Sequence, residues 1–287
     1  MKITSMKRQQ LIKLARLVAT DSPELLSAVR AIQAAGDADK RGTWAYWAKR
    51  FANWLESDGQ APFTIFARGN SKLPFYAFSA LPLVTCPGAG ACGKFCYSLK
   101  AWRYPAAFFR QCQNTLLILR QAPALREAFE ALPHGVTVRL YVDGDIDSVK
   151  TLCFWFDQLR ARPDLSAYGY SKSWPIFLQF KRAFGDAAFP SNYRLNLSSG
   201  SRYGDDVAQQ LESLPVYRGQ FIAVPSIKQR KDGSNRAAYA ASVRESAKAL
   251  GHDRVFVCPG KCGECTKAGH ACGLSQFNSK VIAIGIH

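Results

Sequence analysis

The sequence lacks several features that would place it in a common class of protein. Its apolar runs fall short of the roughly 20 residues that a membrane-spanning helix needs. The first residues, Met1 to Arg16, are basic and amphipathic and do not resemble a secretory signal. Only four histidines occur, so no Ser-His-Asp arrangement is predicted. These absences favour a cytoplasmic protein whose chemistry depends on other residue types.

Acidic residues are missing from a long central stretch. None occurs from Gly59 to Arg126, and the whole chain has 38 Lys and Arg against 21 Asp and Glu, a formal net charge of +17. Such an excess favours binding to polyanions, of which nucleic acid is the usual one in the cytoplasm. A generally basic surface without a specific partner is the alternative. The candidate nucleic-acid contacts, from this stretch and a second basic one at 218–231, are Lys94, Lys100, Arg103, Lys228 and Arg230.

Cysteine, in contrast, is abundant, with nine residues in the chain. Because cytoplasmic thiols stay reduced, clustered cysteines there are more often metal ligands or catalytic groups than disulfides. A first group, the cysteine trio, has the spacing C-x5-C-x3-C and consists of Cys86, Cys92 and Cys96. Three thiolates without a local fourth fit a cofactor cluster with an open iron, or zinc with an outside ligand. We expect the loop glycines at 88, 90 and 93 to let the backbone wrap closely around the ion or cluster.

A second group, the cysteine quartet, has the spacing C-x3-C-x2-C-x6-C. It consists of Cys258, Cys262, Cys265 and Cys272. Four thiolates within so short a segment fit an iron–sulfur cluster, [4Fe-4S] being the first candidate, and they also fit tetrahedral zinc. A further alternative is one composite site that uses all seven cysteines. Cys112 and Cys153, on predicted helices, are expected to be buried apolar residues.

The pattern of apolar residues predicts an α/β protein. Residues 1–60 are expected to form a helical N-terminal region, residues 61–257 an α/β core that contains the trio loop, and residues 258–287 a cysteine-rich metal-binding tail. Apolar segments of strand length alternate with helical segments, which indicates βαβ units in a parallel sheet or a partial (β/α) barrel. The predicted strands are Phe75–Leu83, Val136–Val142, Ala167–Tyr170, Tyr193–Leu197, Gln220–Val224 and Arg254–Val257.

Polar residues follow these predicted strands directly. In parallel α/β folds the active site lies at the carboxyl ends of the strands. We therefore expect a site there, with Asp145, Lys172, Ser199 and Arg202 as candidate catalytic residues. The segment that begins at Asp143 does not match a calcium-binding EF-hand, because it lacks the required glycine and glutamate.

Several motifs together resemble those of the gene product 88 family of phage and plasmid proteins. They are Gly69–Leu73, Thr85–Gly88, Cys92, Cys96–Lys100, Val138–Arg139, Gly144–Asp145 and the cysteine-rich C-terminus. The resemblance covers about Arg68 to His287 and implies a mobile-element origin and a metal-binding cysteine set. It also draws attention to Asp145 and His287 beside the cysteines. A weaker similarity, at the level of the fold, is to radical enzymes that use S-adenosylmethionine, although their C-x3-C-x2-C spacing is not present.

Two functions follow from these observations. The first is a metal-cluster protein that binds nucleic acid as an accessory or regulatory factor of a mobile element, and the sequence favours it narrowly. The second is an iron–sulfur enzyme that acts on a nucleic acid or nucleotide, with a cofactor-binding cluster on Cys86, Cys92 and Cys96. The two differ in whether the trio holds an iron that is open to a further ligand.

Overall fold

The computed structural model describes residues 8–57, 63–70, 73–230, 232–263, 265–267, 269–274, 277 and 279–286. Its N-terminal part contains three helices, α1 (Arg8–Ala19), α2 (Leu25–Ala34) and α3 (Trp44–Glu56). Helix α3 begins after Thr43, whose side chain accepts a hydrogen bond from Tyr46 N at 3.1 Å. This is a common N-capping arrangement. The apolar faces of the three helices join the main hydrophobic core of the protein.

Eight strands and six further helices follow in the described chain. The strands are β1 (Ala67–Asn70), β2 (Leu73–Ala77), β3 (Thr137–Leu140), β4 (Ser166–Ser171), β5 (Tyr193–Ser198), β6 (Tyr217–Pro225), β7 (Val255–Val257) and β8 (Val281–Ile286). The helices are α4 (Pro105–Arg120), α5 (Pro123–Glu130), α6 (Val149–Ala161), α7 (Trp174–Phe184), α8 (Asp205–Leu211) and α9 (Arg236–Ala249). The predicted α/β class is confirmed, but β1, α5 and β8 were not predicted.

All described strands belong to one sheet with the order β1-β2-β3-β4-β5-β6-β8-β7. Strand β1 is antiparallel to β2, and every other neighbouring pair is parallel. Strands β1 and β7 are the two ends of this order, and no pairing of the described strands joins them. The predicted parallel sheet is therefore confirmed, whereas closure into a barrel is not.

Side chains alternate between the two faces of the sheet, as the pleat requires. Val138 and Leu140 of β3 point into the main core under the helices. Arg139, which lies between them, belongs to the opposite face. On that second face, Tyr168 packs with Ala271, Cys272 and Ile282 in a small cluster of its own. The C-terminal cysteine segment thus covers the face of the sheet that the main helices leave free.

Candidate functional site

The carboxyl ends of the parallel strands open into one large cavity, with a volume of about 1770 Å³. Asp145 follows β3, Lys172 follows β4, and Ser198 and Ser199 stand at the end of β5; all four line the cavity. The parallel strands bring together residues that are far apart in the chain, because these strands end at the same edge of the sheet. Three of the four candidate catalytic residues, Asp145, Lys172 and Ser199, thus lie at one cavity.

Both cysteine groups face this cavity. All seven predicted ligands line it, namely Cys86, Cys92, Cys96, Cys258, Cys262, Cys265 and Cys272. The other two cysteines do not: Cys112 is fully buried in α4, as predicted, and Cys153 is partly buried on α6. The structure therefore brings two loops that are distant in sequence to one site.

The trio loop is fixed by close backbone contacts with the loops that follow β4 and β5. A Cβ atom added at Gly88 would lie 1.8 Å from Lys172 O, and one at Gly90 would lie 2.8 Å from Arg202 N. Gly90 N donates to Gly200 O at 3.1 Å. A Cβ at Gly93 would meet nothing within 4 Å. Gly88 and Gly90 therefore allow the trio loop to touch two neighbouring loops, a role that the sequence did not predict.

Asp145 is buried at the base of the trio loop. Its Oδ1 accepts from Ile146 N at 2.8 Å, and its Oδ2 accepts from Lys172 N at 2.7 Å. Burial raises the pKa of Asp145 despite these two donors. Burial, together with the Asp145 charge, also raises the pKa of Cys86 to about 12. A carboxyl group and a thiol whose pKa values are both raised thus share one corner of the cavity.

The other candidate catalytic residues differ in their access to the cavity. Lys172 Nζ donates to Ser198 Oγ at 2.7 Å. Ser199 Oγ accepts from Ala223 N at 3.0 Å, which ties it to β6. Arg202 is exposed, reaches toward Pro87 O at 3.4 Å and does not line the cavity. The assignment of Arg202 to the cavity was wrong, because the loop leaves the cavity after Gly200. Ser198, which was not among the predicted catalytic residues, lines the cavity.

The quartet sulfurs lie beside N–H and O–H groups. Gly260 N donates to Cys258 Sγ at 3.4 Å, and Ala271 N donates to Cys265 Sγ at 3.3 Å. Burial raises the pKa of Cys262, and the opposing groups include the Tyr168 hydroxyl. Burial likewise raises the pKa of Cys272 to about 12, and the Tyr170 hydroxyl opposes that rise. Each of the four sulfurs therefore has an N–H or O–H group beside it that can donate to it.

Two arginines add positive charge around the quartet. Arg139 stands on the sheet face, 4.8 Å from the ring centre of Tyr170, and its buried Nε has no hydrogen-bond partner among the described residues. Burial acts to lower the pKa of Arg139, but nearby Tyr170, Tyr168, Tyr97 and Cys262 outweigh it and raise the pKa. Sequence reasoning missed this residue as a site residue.

The second arginine, Arg218, is buried beneath the quartet loop. It donates to Ala271 O at 3.0 Å, to Ser279 O at 3.1 Å and to Lys280 O at 3.3 Å. Asn196 Nδ2 supports the same segment by donating to Cys272 O at 2.9 Å. Arg218 was read as the start of a basic surface stretch, and this was wrong, because the arginine holds the C-terminal segment against the sheet.

The predicted nucleic-acid contacts fall into two separate places. Lys94, Lys100 and Arg103 are exposed and line the cavity. Lys228 and Arg230 are exposed in the loop between β6 and α9 and do not line it. Among the described residues that line the cavity, the cationic ones outnumber the single carboxylate, Asp145. The cationic residues that line it are Arg8, Lys94, Lys100, Arg103, Arg139, Lys172 and Lys261.

The described cysteine side chains of the trio and the quartet face the cavity without forming a metal-binding group. Within the part of the chain that the structure describes, no three or more His, Cys, Asp or Glu side chains stand in a metal-binding arrangement. His287 lies outside the described residues. No helix within the described ranges is long and apolar enough to cross a bilayer.

Comparison with known proteins gives one finding. No curated protein and no solved structure matches the chain significantly, so the fold-level similarity to radical enzymes receives no support. The family model of gene product 88 matches residues 48–279. This match begins inside α3, earlier than the motifs around Arg68 predict, and it includes both cysteine groups. The chain therefore belongs to the gene product 88 family.

Proposed function

We propose that this protein is an enzyme that uses cysteine-bound metal to act on an anionic substrate, a nucleic acid or nucleotide, held in the cavity. Iron–sulfur clusters are the first candidate for the metal, and zinc is the alternative. The observation that carries the proposal is the convergence of all seven cysteines and the buried Asp145 on one cavity at the strand ends. A purely structural metal site would not need so large a cavity beside it.

The donor set supports this choice of metals. An all-sulfur set favours zinc or iron–sulfur clusters over magnesium or calcium. The neighbours of the quartet sulfurs fit a thiolate-bound metal, because N–H and O–H donors and nearby cations offset the negative charge of such a complex. The described side chains do not form a ready group, so metal binding would reorient them.

The quartet and the trio would have different roles. The quartet, with four ligands of its own, would hold a closed metal site that fixes the C-terminal segment on the sheet. The trio leaves one coordination position for a substrate or a small cofactor. A metal cluster bound there would supply an open iron for that ligand.

The protein's own residues would then handle the substrate. Asp145, whose pKa is raised by burial, can hold a proton beside Cys86 at the trio corner. Lys172 and Ser198 form a hydrogen-bonded pair that can orient an anionic group. The surplus of cationic side chains around the cavity draws in polyanions and excludes cations.

A second candidate is the accessory nucleic-acid-binding factor. The exposed Lys94, Lys100 and Arg103 support it, because they could contact phosphates without any reaction. In that case both cysteine groups would be structural. The state of a metal bound at the trio distinguishes the two functions, because only the enzyme needs an open coordination position there.

Anaerobic purification followed by metal analysis and an optical spectrum tests the proposal. Iron with inorganic sulfide, and visible absorption that changes when a small ligand is added, is the expected result. Replacing the trio cysteines with Ala should abolish the change and leave the quartet metal in place. A colourless protein with stoichiometric zinc in both groups would favour the accessory factor. A metal-free, fully folded protein whose seven thiols are freely alkylated would refute the enzyme and the structural role of both cysteine groups.

A further inference from the structure

A short aromatic and basic segment stands at the cavity. Residues Tyr97–Arg103 form a 3₁₀-helix. Such a helix has three residues per turn, so side chains three positions apart lie above one another, about 6 Å apart along the axis. Tyr97, Lys100 and Arg103 have this spacing and form a row, and all three line the cavity. Tyr104 follows directly.

The two tyrosine rings of this segment are unusually open to solvent. Tyr97 is 63% exposed and Tyr104 is 68% exposed. The Tyr97 hydroxyl donates to Val142 O at 3.2 Å, which fixes the ring from its polar end. Below them, the buried Trp102 donates from Nε1 to Gln111 Oε1 at 2.8 Å and anchors the helix. The Tyr97 ring is therefore held at its polar end, and both tyrosines keep most of their surface open to solvent.

The charges around the segment are complementary to a nucleic-acid strand. Lys94, Lys100 and Arg103 are exposed beside the rings, and Asp145 is the one carboxylate among the described residues that line the cavity. Aromatic rings interleaved with cations are the arrangement by which proteins bind single strands, because every unpaired base has a face that can stack.

We propose that Tyr97 and Tyr104 stack on unpaired bases of a single-stranded DNA or RNA, while Lys100 and Arg103 contact its phosphates. The row leads the strand into the cavity. This inference rests on the proposed function for its choice of an anionic substrate, and it narrows that substrate from nucleic acid in general to a single strand. A duplex is disfavoured, because its bases are already stacked and paired.

Fluorescence anisotropy with labelled oligo-dT and oligo-U and a duplex of equal length tests this. Tyr97→Ala and Tyr104→Ala should each weaken single-strand binding by about 5- to 100-fold, and Tyr→Phe at either position should retain it. Lys100→Ala should reduce the slope of log K against log salt by about 0.7. The matched control is Phe184→Ala, which removes a ring that is 54% exposed at the end of α7, away from the cavity.

Two results would overturn the inference. One is unchanged single-strand affinity in the Tyr97→Ala, Tyr104→Ala double variant, with its circular dichroism and melting temperature intact. The other is tighter binding of the duplex than of either single strand. The assay needs no reaction, so its outcome is separate from that of the proposed function. Strand binding through the tyrosines by a metal-free protein would refute the enzyme and leave this inference standing.

Discussion

The trio loop and the quartet loop face the same cavity, but the protein holds them differently. The trio loop is fixed through its backbone, by the close approach of Gly88 to Lys172 and of Gly90 to the loop after β5. Its Cys86 is destabilised as a thiolate by burial and by Asp145. The quartet loop is fixed through side chains of the sheet, above all Arg218 and Asn196.

This difference predicts different roles for the two loops. Around the quartet, N–H and O–H donors and cations neighbour the sulfurs and would offset the negative charge of a thiolate-bound metal. Around the trio, burial raises the pKa of Cys86 and of Asp145. Asp145 also accepts from the backbone N–H of Lys172, whose side chain donates to Ser198. We expect substitutions in one loop to affect that loop without affecting the other.

The largest effect is expected from the quartet. Replacing Cys262 and Cys265 with Ala should remove its metal and strongly destabilise the protein, because the binding free energy of a structural zinc, about 10 kcal/mol or more in peptides, also contributes to folding. Metal-to-protein ratio and thermal melting measure this. Cys153→Ala, outside the cavity, is the matched control and should change neither. An unchanged melting temperature in the double variant would contradict a structural quartet.

A smaller and more local effect is expected from Gly88→Ala. The new Cβ would lie 1.8 Å from a backbone oxygen, so the trio loop must shift, at a cost of about 1–3 kcal/mol. Trio-bound metal should be lost while quartet metal stays. Urea unfolding and metal analysis measure both. Gly93→Ala, whose Cβ meets nothing, should behave like the wild type. Equal behaviour of the two variants would show that the loop contact does not position the trio.

Arg139→Met should weaken the quartet metal without unfolding the protein. Removing a cation next to thiolates, while keeping an apolar side chain, should lower metal affinity by about 10- to 100-fold. Competition with a chelator of known affinity measures this. Arg182→Met, an exposed arginine on α7, is the control. If both variants lose metal equally, the effect comes from net charge and not from the position of Arg139.

The smallest effect on stability is expected from Asp143, two residues before Asp145. Asp143 accepts from Gln111 Nε2 at 3.0 Å, and burial raises its pKa. As pH rises above the ordinary Asp value, the unfolded chain loses this proton first, so the free energy of unfolding falls through the window up to the raised pKa. Asp143→Asn keeps the acceptor for Gln111 and should flatten this part of the profile. Urea unfolding between pH 4 and pH 8 measures it. A wild-type stability that rises through the same window, with no difference in the variant, would contradict the sign.

The fold was largely predictable from the sequence. Alternating apolar strand and helix segments gave the parallel core, since a buried parallel strand needs a continuous apolar run. The strand β8 was missed although its residues, Val281–Ile286, are an apolar run of strand length. Because these residues follow the cysteine-rich segment, they were assigned to the predicted metal-binding tail and not to the sheet. Strand β1 is short and contains Arg68 and Gly69, so it carries no apolar pattern.

The candidate site was predictable only in part. Local spacing grouped the trio and the quartet, because metal ligands close in sequence can reach one ion. The roles of Ser199, Arg202 and Arg218 were not predictable, since each depends on which backbone group the fold brings within reach. The same holds for Arg139, which reaches the cavity because it lies between Val138 and Leu140 on a strand and so faces the opposite side of the sheet.

The sequence by itself determined the number and grouping of the sulfurs, the excess of positive charge and the alternation that makes an α/β sheet. These are properties of composition and of short-range periodicity. Only the tertiary structure decided that both cysteine loops open into one cavity and that cations and hydroxyl groups stand beside the quartet. Those contacts join segments far apart in the chain, and their distances are set by the order of strands in the sheet, which local sequence does not encode.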